Sequence, residues 1–507
     1  MEHFEARDFD LAGRIGVLRT RHGNLETPYI FPVVDPRRQA PPLQKIAELG
    51  FRGVITNAYL LLKRTGAAPL KVHEVLGWDG IVMTDSGGYQ ILSYGDVDVN
   101  NKQIVGYQMA IGSDIGVILD IPTGSAMSFE EAEGAVDETL KRAVEALPLI
   151  MQSDQLWALP VQGAPYLDLL TRAAARSAGL PYHIYAIGSP TVLLEKYDYE
   201  RLVEYVAIAR ALLPPHKPIH VFGVGHPMII PYLVALGADL FDSASYILYA
   251  RDNRYMTEWG TKDLRELSYF PCNCPVCSRY TPQELLEMGV EERTELLALH
   301  NLHALAKEIR TVKEAIREGR LWELLEGRSK AHPSLRRAFE KIKEFSGLLA
   351  RGSSLNRPPG FAALLFDRES LSNPVLSIAR ESAEGFLRAR LARARARVLR
   401  LCVNVAEKPA EALVRNARDG CDVILDPFLG VVAPALSSSF PFYQHERGVA
   451  PTPREFVEMF GERVLELLRR ANVQEVVLRP LDGSARALVQ ELRRLLEGAG
   501  FMLSEIS

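Results

Sequence analysis

Between Thr27 and Ser245 the chain repeats one unit, a short run of apolar and often β-branched residues ending in Gly, Asp, Asn, Ser or Pro. The runs are TPYIFPVV, FRGVITN, GIVMTDSGG, IGVILDIP, LWALPVQG, YHIYAIGSP, PIHVFGVG and ADLFDSAS. Most are joined by stretches whose apolar positions recur at helical spacing. Phe129 to Pro148 is one, opening on the capping box Ser128-x-x-Glu131. Eight buried strands alternating with helices predict an α/β fold, a (β/α)8 TIM barrel. A doubly wound open sheet carries the same periodicity, so the pattern leaves that alternative standing.

Some stretches depart from the repeat. Tyr89 to Gly112 reads as turns and short strands rather than a helix, and so as a functional insertion. The first 26 residues alternate around Gly and Asn turns, which predicts a small antiparallel cap. After Ser245 come a cysteine cluster and a charged helical tract from Pro282 to about Phe345, and Gly-Ser-Ser-Leu-Asn-Arg-Pro-Pro-Gly at 352–360 marks a boundary. The expected division is 1–345 for barrel, cap and an inserted cysteine-bearing subdomain at about 268–305. Additional C-terminal domains would occupy 346–400, as α/β, and 401–507, as α+β.

Composition narrows the class little: 47% hydrophobic and 24% charged over 507 residues is ordinary for a globular protein. No apolar run is long enough to span a bilayer, and the acidic start Met-Glu-His-Phe-Glu lacks a signal-peptide core, so the expected location is cytoplasmic, with no membrane partner. A formal net charge of -4 gives no global sign of nucleic-acid binding. Residues 386–400 are the local exception: Arg388, Arg390, Arg393, Arg395, Arg397 and Arg400 occur with no acidic residue among them. They read either as a solvated face leading into a strand or as an RNA-contacting surface. Five cysteines do not make a disulfide framework, and Cys402 and Cys421 sit in apolar contexts that suit small buried hydrophobes.

In a parallel barrel the carboxyl ends of the strands open onto one face, so polar residues there converge. These ends carry Thr84-Asp85-Ser86-Gly87-Gly88, Asp120, Gln162-Gly163, Gly188-Ser189 and Asp242-Ser243. A lone aspartate at a strand end is more often a helix cap. Three carboxylates and an amide over one cavity, with glycine pairs admitting a flat ligand, suit cleavage of a base–sugar bond.

Together TDSGGYQ, LDIPT, PVQG, AIGSP, FGVGHP, DLFDSASYILYARDNRYMT and PCNCPVC resemble the tRNA-guanine transglycosylases in their archaeal branch. The likeness covers residues 1–345, and more loosely PPGFAALLFDRESLSNP and LDPFLGVVAPALSSSFPFYQHE beyond. It implies a double displacement. Asp242 would attack the ribose C1′ to give a covalent enzyme–tRNA intermediate, and Asp85 would protonate the departing guanine and later deprotonate the incoming base. Only the resemblance distinguishes the two aspartates, whose roles could be exchanged. The same transfer places Ser86, Asp120, Gln162, Gly188 and Ser189 on the edges of the base, with Tyr89 and Phe222 on its faces. Asp120 would discriminate, since a carboxylate pairs with the N1–H and exocyclic amine that guanine and 7-cyano-7-deazaguanine share and adenine lacks.

Cys272, Cys274 and Cys277, followed by His300, offer four ligands that suit a closed, structural Zn2+ site. An iron–sulfur cluster short of one cysteine competes with it. His303 is the rival fourth ligand, and the family pattern Leu-His-Asn favours His300. Arg251 and Arg254 would contact tRNA phosphates beside a flipped nucleotide, with Arg328, Lys330, Arg336 and Arg337 as further candidates.

The resemblance implies exchange of guanine 15 in the tRNA D-loop for 7-cyano-7-deazaguanine, a step towards archaeosine, by a homodimer. Competing readings are a silent tRNA-binding subunit, an archaeosine-forming paralogue acting on the installed nitrile, and a plain N-glycoside hydrolase. Many archaeal members end in a β-rich PUA module. Here REFVEMFGERVLELL, VQEVVLRPL and ARALVQELRRLLEG read as helix, strand and helix with no such module after them, so a separate PUA-type protein is an expected partner.

Overall fold

The structure is a computed structural model describing residues 3–505, except 66–69, 89–98, 125, 189, 191–192, 195, 354–361, 395–396, 406–419 and 437–438. The chain forms two compact units, Met1–Gly352 and Ser353–Ser507.

All eight apolar runs form strands of one parallel sheet: β4 (Tyr29–Pro32), β5 (Gly53–Asn57), β6 (Ile81–Asp85), β7 (Ile115–Val117), β8 (Leu156–Val161), β9 (Ile184–Ile187), β10 (Ile219–Val221) and β11 (Leu240–Ser243). Their order is β4-β11-β10-β9-β8-β7-β6-β5, and a parallel bridge from Val33 to Ile55 joins the two ends. The sheet is therefore a closed barrel rather than an open doubly wound sheet. Its strands are buried on both faces, which is why they read as continuous apolar runs.

The antiparallel strands β1 (Phe4–Asp10), β2 (Gly13–Thr20) and β3 (Gly23–Thr27) form the predicted cap. Arg14 on β2 is paired with buried Asp239, just before β11 (Nε to Oδ1, 2.7 Å). At the β2–β3 turn, His22 bonds Asp114, just before β7, through its backbone amide at 3.0 Å and Nδ1 at 2.8 Å. Burial would push the Asp114 carboxyl up, yet hydrogen bonds from His73, the Val82 amide and His22 hold it down at about 2. Both anchors precede a strand, so the cap is fastened at the amino ends and the carboxyl ends are left for chemistry.

The segment expected to be turns and strands contains a helix, Asn101–Ile111, while 89–98 lies outside the described residues. Asn100 and Gln103 form a reciprocal capping box, and Gly112 ends the helix in the left-handed region at φ 77°. The charged tract resolves into four helices, Pro282–Glu287, Val290–Glu318, Leu321–Arg328 and Pro333–Lys343, and a hairpin of β12 (Arg254–Thr257) and β13 (Gly260–Asp263) precedes the cysteines.

In the second unit β14 (Ala363–Leu365) pairs with β18 (His445–Arg447), and a five-stranded sheet has the order β17-β16-β15-β19-β20. Its strands are β15 (Val398–Val403), β16 (Val423–Asp426), β17 (Gly430–Val432), β19 (Glu475–Pro480) and β20 (Met502–Glu505), with only β17 antiparallel. The 400/401 position falls inside β15, and residues from both sides of it share one core. Cys402 and Cys421 correct the sequence reading. They are joined as a disulfide with Cα atoms 5.8 Å apart, rather than standing as separate apolar side chains. Among the described residues no helix is long and apolar enough to cross a membrane.

Candidate active site and metal centre

The carboxyl ends of β6, β7 and β11 bring Asp85, Asp120 and Asp242 over one end of the barrel. Burial raises Asp85 to about 7, reinforced by the negative charges of Asp120 and Asp242. Burial likewise raises Asp120 to about 6. A carboxyl near 7 can both give and accept a proton at neutral pH, whereas one near 6 is mostly ionised there.

Each acid is held by a specific partner. Asn57, beside Asp85 in the β5–β6 register, donates from Nδ2 to Asp85 Oδ2 at 2.8 Å. Gln162 donates from Nε2 to Asp120 Oδ2 at 2.5 Å, while its Oε1 accepts from the Thr123 amide at 3.2 Å and from the Thr123 hydroxyl. Asp242 Oδ1 receives the Gly223 amide at 2.9 Å and lies 2.8 Å from His220 Nε2. Gly223 adopts φ 67°, a conformation that favours glycine.

The remaining base-site candidates divide. Ser86 is buried with no partner for its hydroxyl among the described residues, so it is free to meet a ligand. Gly88 and Gly188 lie so close to Asp120 and Gln162 that a Cβ on either would collide with those side chains. Phe222 follows β10 half-buried, its ring 4.7 Å from that of His220. Tyr89 and Ser189 lie outside the described residues. Arg251 ends the helix Ser245–Arg251 and is exposed, and Arg254 begins β12 with its guanidinium 3.6 Å from the centre of the Tyr249 ring.

Asn57, Thr123 and His220 belong to this site, although sequence reasoning did not select them. Asn57 ends its apolar run as Asp85 ends the next, so the strand-end rule reaches it. His220 is the one polar residue inside PIHVFG. Its signal is a ring that must face the barrel interior or be excluded from the strand.

Cys272, Cys274, Cys277 and His300 cluster with all ligand atoms within 4.8 Å of one another. His300 Nδ1 lies 3.6 Å from Cys274 Sγ and 3.3 Å from Cys277 Sγ. A tetrahedral zinc with Zn–S near 2.3 Å and Zn–N near 2.05 Å needs S···N edges of about 3.5 Å, so the donors fit such an ion. His300 donates from Nε2 to the Met256 carbonyl at 2.9 Å, which turns Nδ1 towards the sulfurs, and the Tyr255 ring stacks on it at 3.7 Å. His303 is not in the cluster. Neighbouring Asn301 accepts from the Met256 amide and donates to the Tyr246 and Arg254 carbonyls, so the helix that carries His300 braces the segment that follows Asp242.

Comparison with known proteins agrees with this geometry. A profile of the queuine tRNA-ribosyltransferase family matches residues 10–334. A protein of Aeropyrum pernix named tRNA-guanine(15) transglycosylase is 48% identical over 473 residues, 91% of each chain. One of the same name from Saccharolobus solfataricus is 41% identical over 499 residues, 94% of this chain and 97% of its own. Likeness of this extent takes in barrel, cysteine cluster and C-terminal unit alike, and the chain belongs to the queuine tRNA-ribosyltransferase family, the tRNA-guanine transglycosylases, which are pentosyltransferases.

Proposed function

We propose that this chain exchanges guanine 15 in the tRNA D-loop for 7-cyano-7-deazaguanine, the base-exchange step of archaeosine formation. The observation that carries the reading is the trio of aspartates gathered at one end of the barrel, with Asp85 poised near neutrality and Asp242 held by two neighbours. A silent subunit would have no need of it. Oδ2 of Asp242 forms a bond to C1′ as the C1′–N9 bond breaks and its electron pair leaves with guanine, which takes the proton of Asp85. The incoming base then returns a proton to Asp85 and attacks C1′, releasing Asp242. Ionised Asp120, aligned by Gln162, pairs with the N1–H and amine edge, and Ser86 supplies a further polar contact while Gly188 and Ser189 present backbone. Tyr89 and Phe222 flank the ring. Incorporation of labelled guanine into tRNA tests the reading, because a hydrolase or a nitrile-modifying paralogue would release or ignore guanine without inserting it.

Asp85 gives the two half-reactions opposite pH limbs. Adduct formation needs its proton and should slow as pH rises above about 7; adduct breakdown by the incoming base needs the ionised form and should slow as pH falls below about 7. Single-turnover rates measured from pH 5.5 to 8.5 decide it, and parallel limbs would remove Asp85 from one of the steps.

The ion at the cysteine cluster is proposed to be zinc, one per chain and structural, since four protein ligands leave no open position. Arg251 and Arg254 are proposed to bind phosphates beside the extruded nucleotide, and the enzyme to act as a homodimer. A PUA-type protein is proposed as a second RNA-binding partner. In the second unit Arg388 and Arg400 are tied to Glu384 and Asp422, whereas Arg390, Arg393 and Arg397 stand exposed and are proposed to track tRNA phosphates. Replacing these three with Ala should weaken tRNA binding about tenfold at low salt and flatten its salt dependence, leaving exchange at saturating tRNA unchanged. Wild-type affinity and slope in filter binding would make the run a solvated face.

A further inference from the structure

With Asp242 read as the nucleophile, on which this inference rests, we propose that His220 is a positioning residue that shares Oδ1 of Asp242 with the Gly223 amide and so leaves Oδ2 as the attacking oxygen. Both neighbours meet the same oxygen, at 2.8 and 2.9 Å. The β10–β11 register produces this, pairing His220 with Leu240 and so setting Asp242 two residues further along the neighbouring strand.

The proton on the His220–Asp242 contact can be assigned. An ionised carboxylate only accepts, so Nε2 carries the hydrogen. The other ring nitrogen, Nδ1, is buried with no partner among the described residues, and the ring lies between Phe31, stacked at 6.1 Å, and Phe222. His220 is thus an N–H donor to Oδ1 of Asp242 through Nε2, on a ring that Phe31 and Phe222 pack against.

This donor acts unequally on the two half-reactions. As the ester forms through Oδ2, Oδ1 becomes a carbonyl oxygen and its hydrogen bonds weaken. As the ester breaks, the electron pair of the Oδ2–C1′ bond returns to the carboxylate, and the two donors on Oδ1 stabilise the leaving group. Loss of the His220 donor should therefore slow both steps by releasing the carboxylate from its orientation, and breakdown more than formation.

The test compares His220→Phe, which keeps a flat ring but no donor, with His220→Gln, whose amide nitrogen reaches the place of Nε2. The expected result for Phe is a fall in kcat of about 10- to 100-fold with KM for tRNA within about twofold. The share of enzyme trapped as covalent tRNA adduct at steady state should rise, and His220→Gln should recover most of the rate. Wild-type kcat in His220→Phe, or equal losses in the two variants with no rise in trapped adduct, would overturn the proposal and leave His220 a packing residue. If instead Asp242→Asn keeps exchange activity, the nucleophile assignment itself fails, and that outcome is separate from either result at His220.

Discussion

Replacing Asp242 with Asn is expected to cut guanine exchange by about 10⁴-fold or more while tRNA affinity stays within about twofold of wild type. Asn has the size of Asp, and its one oxygen can still accept from His220 and the Gly223 amide. That choice turns the amide nitrogen to the oxygen position proposed to attack C1′. The geometry survives and the electron pair does not. The phosphate contacts proposed for Arg251 and Arg254 lie on other side chains, so binding should be spared. Denaturing gels of enzyme mixed with tRNA should show a covalent band for wild type and none for Asp242→Asn. Asp85→Asn, which keeps the nucleophile but loses the proton donor, should be severely slowed and still form adduct at long times. The reverse outcome, adduct in Asp242→Asn and none in Asp85→Asn, would exchange the two roles.

Legibility in the sequence followed burial. Strands covered on both faces have no polar side, so each of the eight became a visible apolar run and the barrel could be read. The helix Asn101–Ile111 was harder because its inner face is not wholly apolar. Gln108 is buried there, donating to the Val117 carbonyl and accepting from the Val117 amide and the Thr84 hydroxyl, so a core position looks like a polar one. The reliable signal was the cap Asn100-x-x-Gln103. Motifs fixed by local spacing, such as Cys272, Cys274 and Cys277, were legible for the same reason that the helix cap was: one short stretch contains the whole set.

Pairings between distant segments were not legible. Cys402 meets Cys421 because β15 and β16 lie side by side, with Cys402 opposite Ile424 and Cys421 two residues before Val423. His220 meets Asp242 through the β10–β11 register. Sequence separation says nothing about either register: the polar ring of His220 stood out within its apolar run, but not the carboxylate it would meet. Gln162 shows the converse. Its place at a strand end was readable, but its aligning part depends on Thr123 and Asp120, which only the fold brings to it.

Cys274→Ala, on the proposed zinc assignment, should lower the zinc content from about one ion per chain to well below half and drop the thermal midpoint by about 10 °C. Cys274 is the buried one of the three cysteines. Cys274 is 1% exposed, Cys274 Sγ lies 3.6 Å from His300 Nδ1, and the Cys277 amide donates to it at 3.5 Å. In the variant Cys272, Cys277 and His300 are left without an ion to share, and the grip of His300 on the Met256 carbonyl no longer locks the helix Val290–Glu318 to β12. Removing a buried side chain also leaves a small void, so metal and packing must be separated. Wild-type protein stripped by a strong chelator supplies the control, because it loses the ion and keeps every side chain. The metal account requires the chelator to lower the wild-type midpoint by most of the Cys274→Ala shift and to leave the variant almost unmoved. Equal further shifts in both proteins, or full thermal stability in a metal-free preparation, would make the cluster dispensable for folding. Iron in place of zinc by elemental analysis would keep the structural role and overturn the identity of the ion.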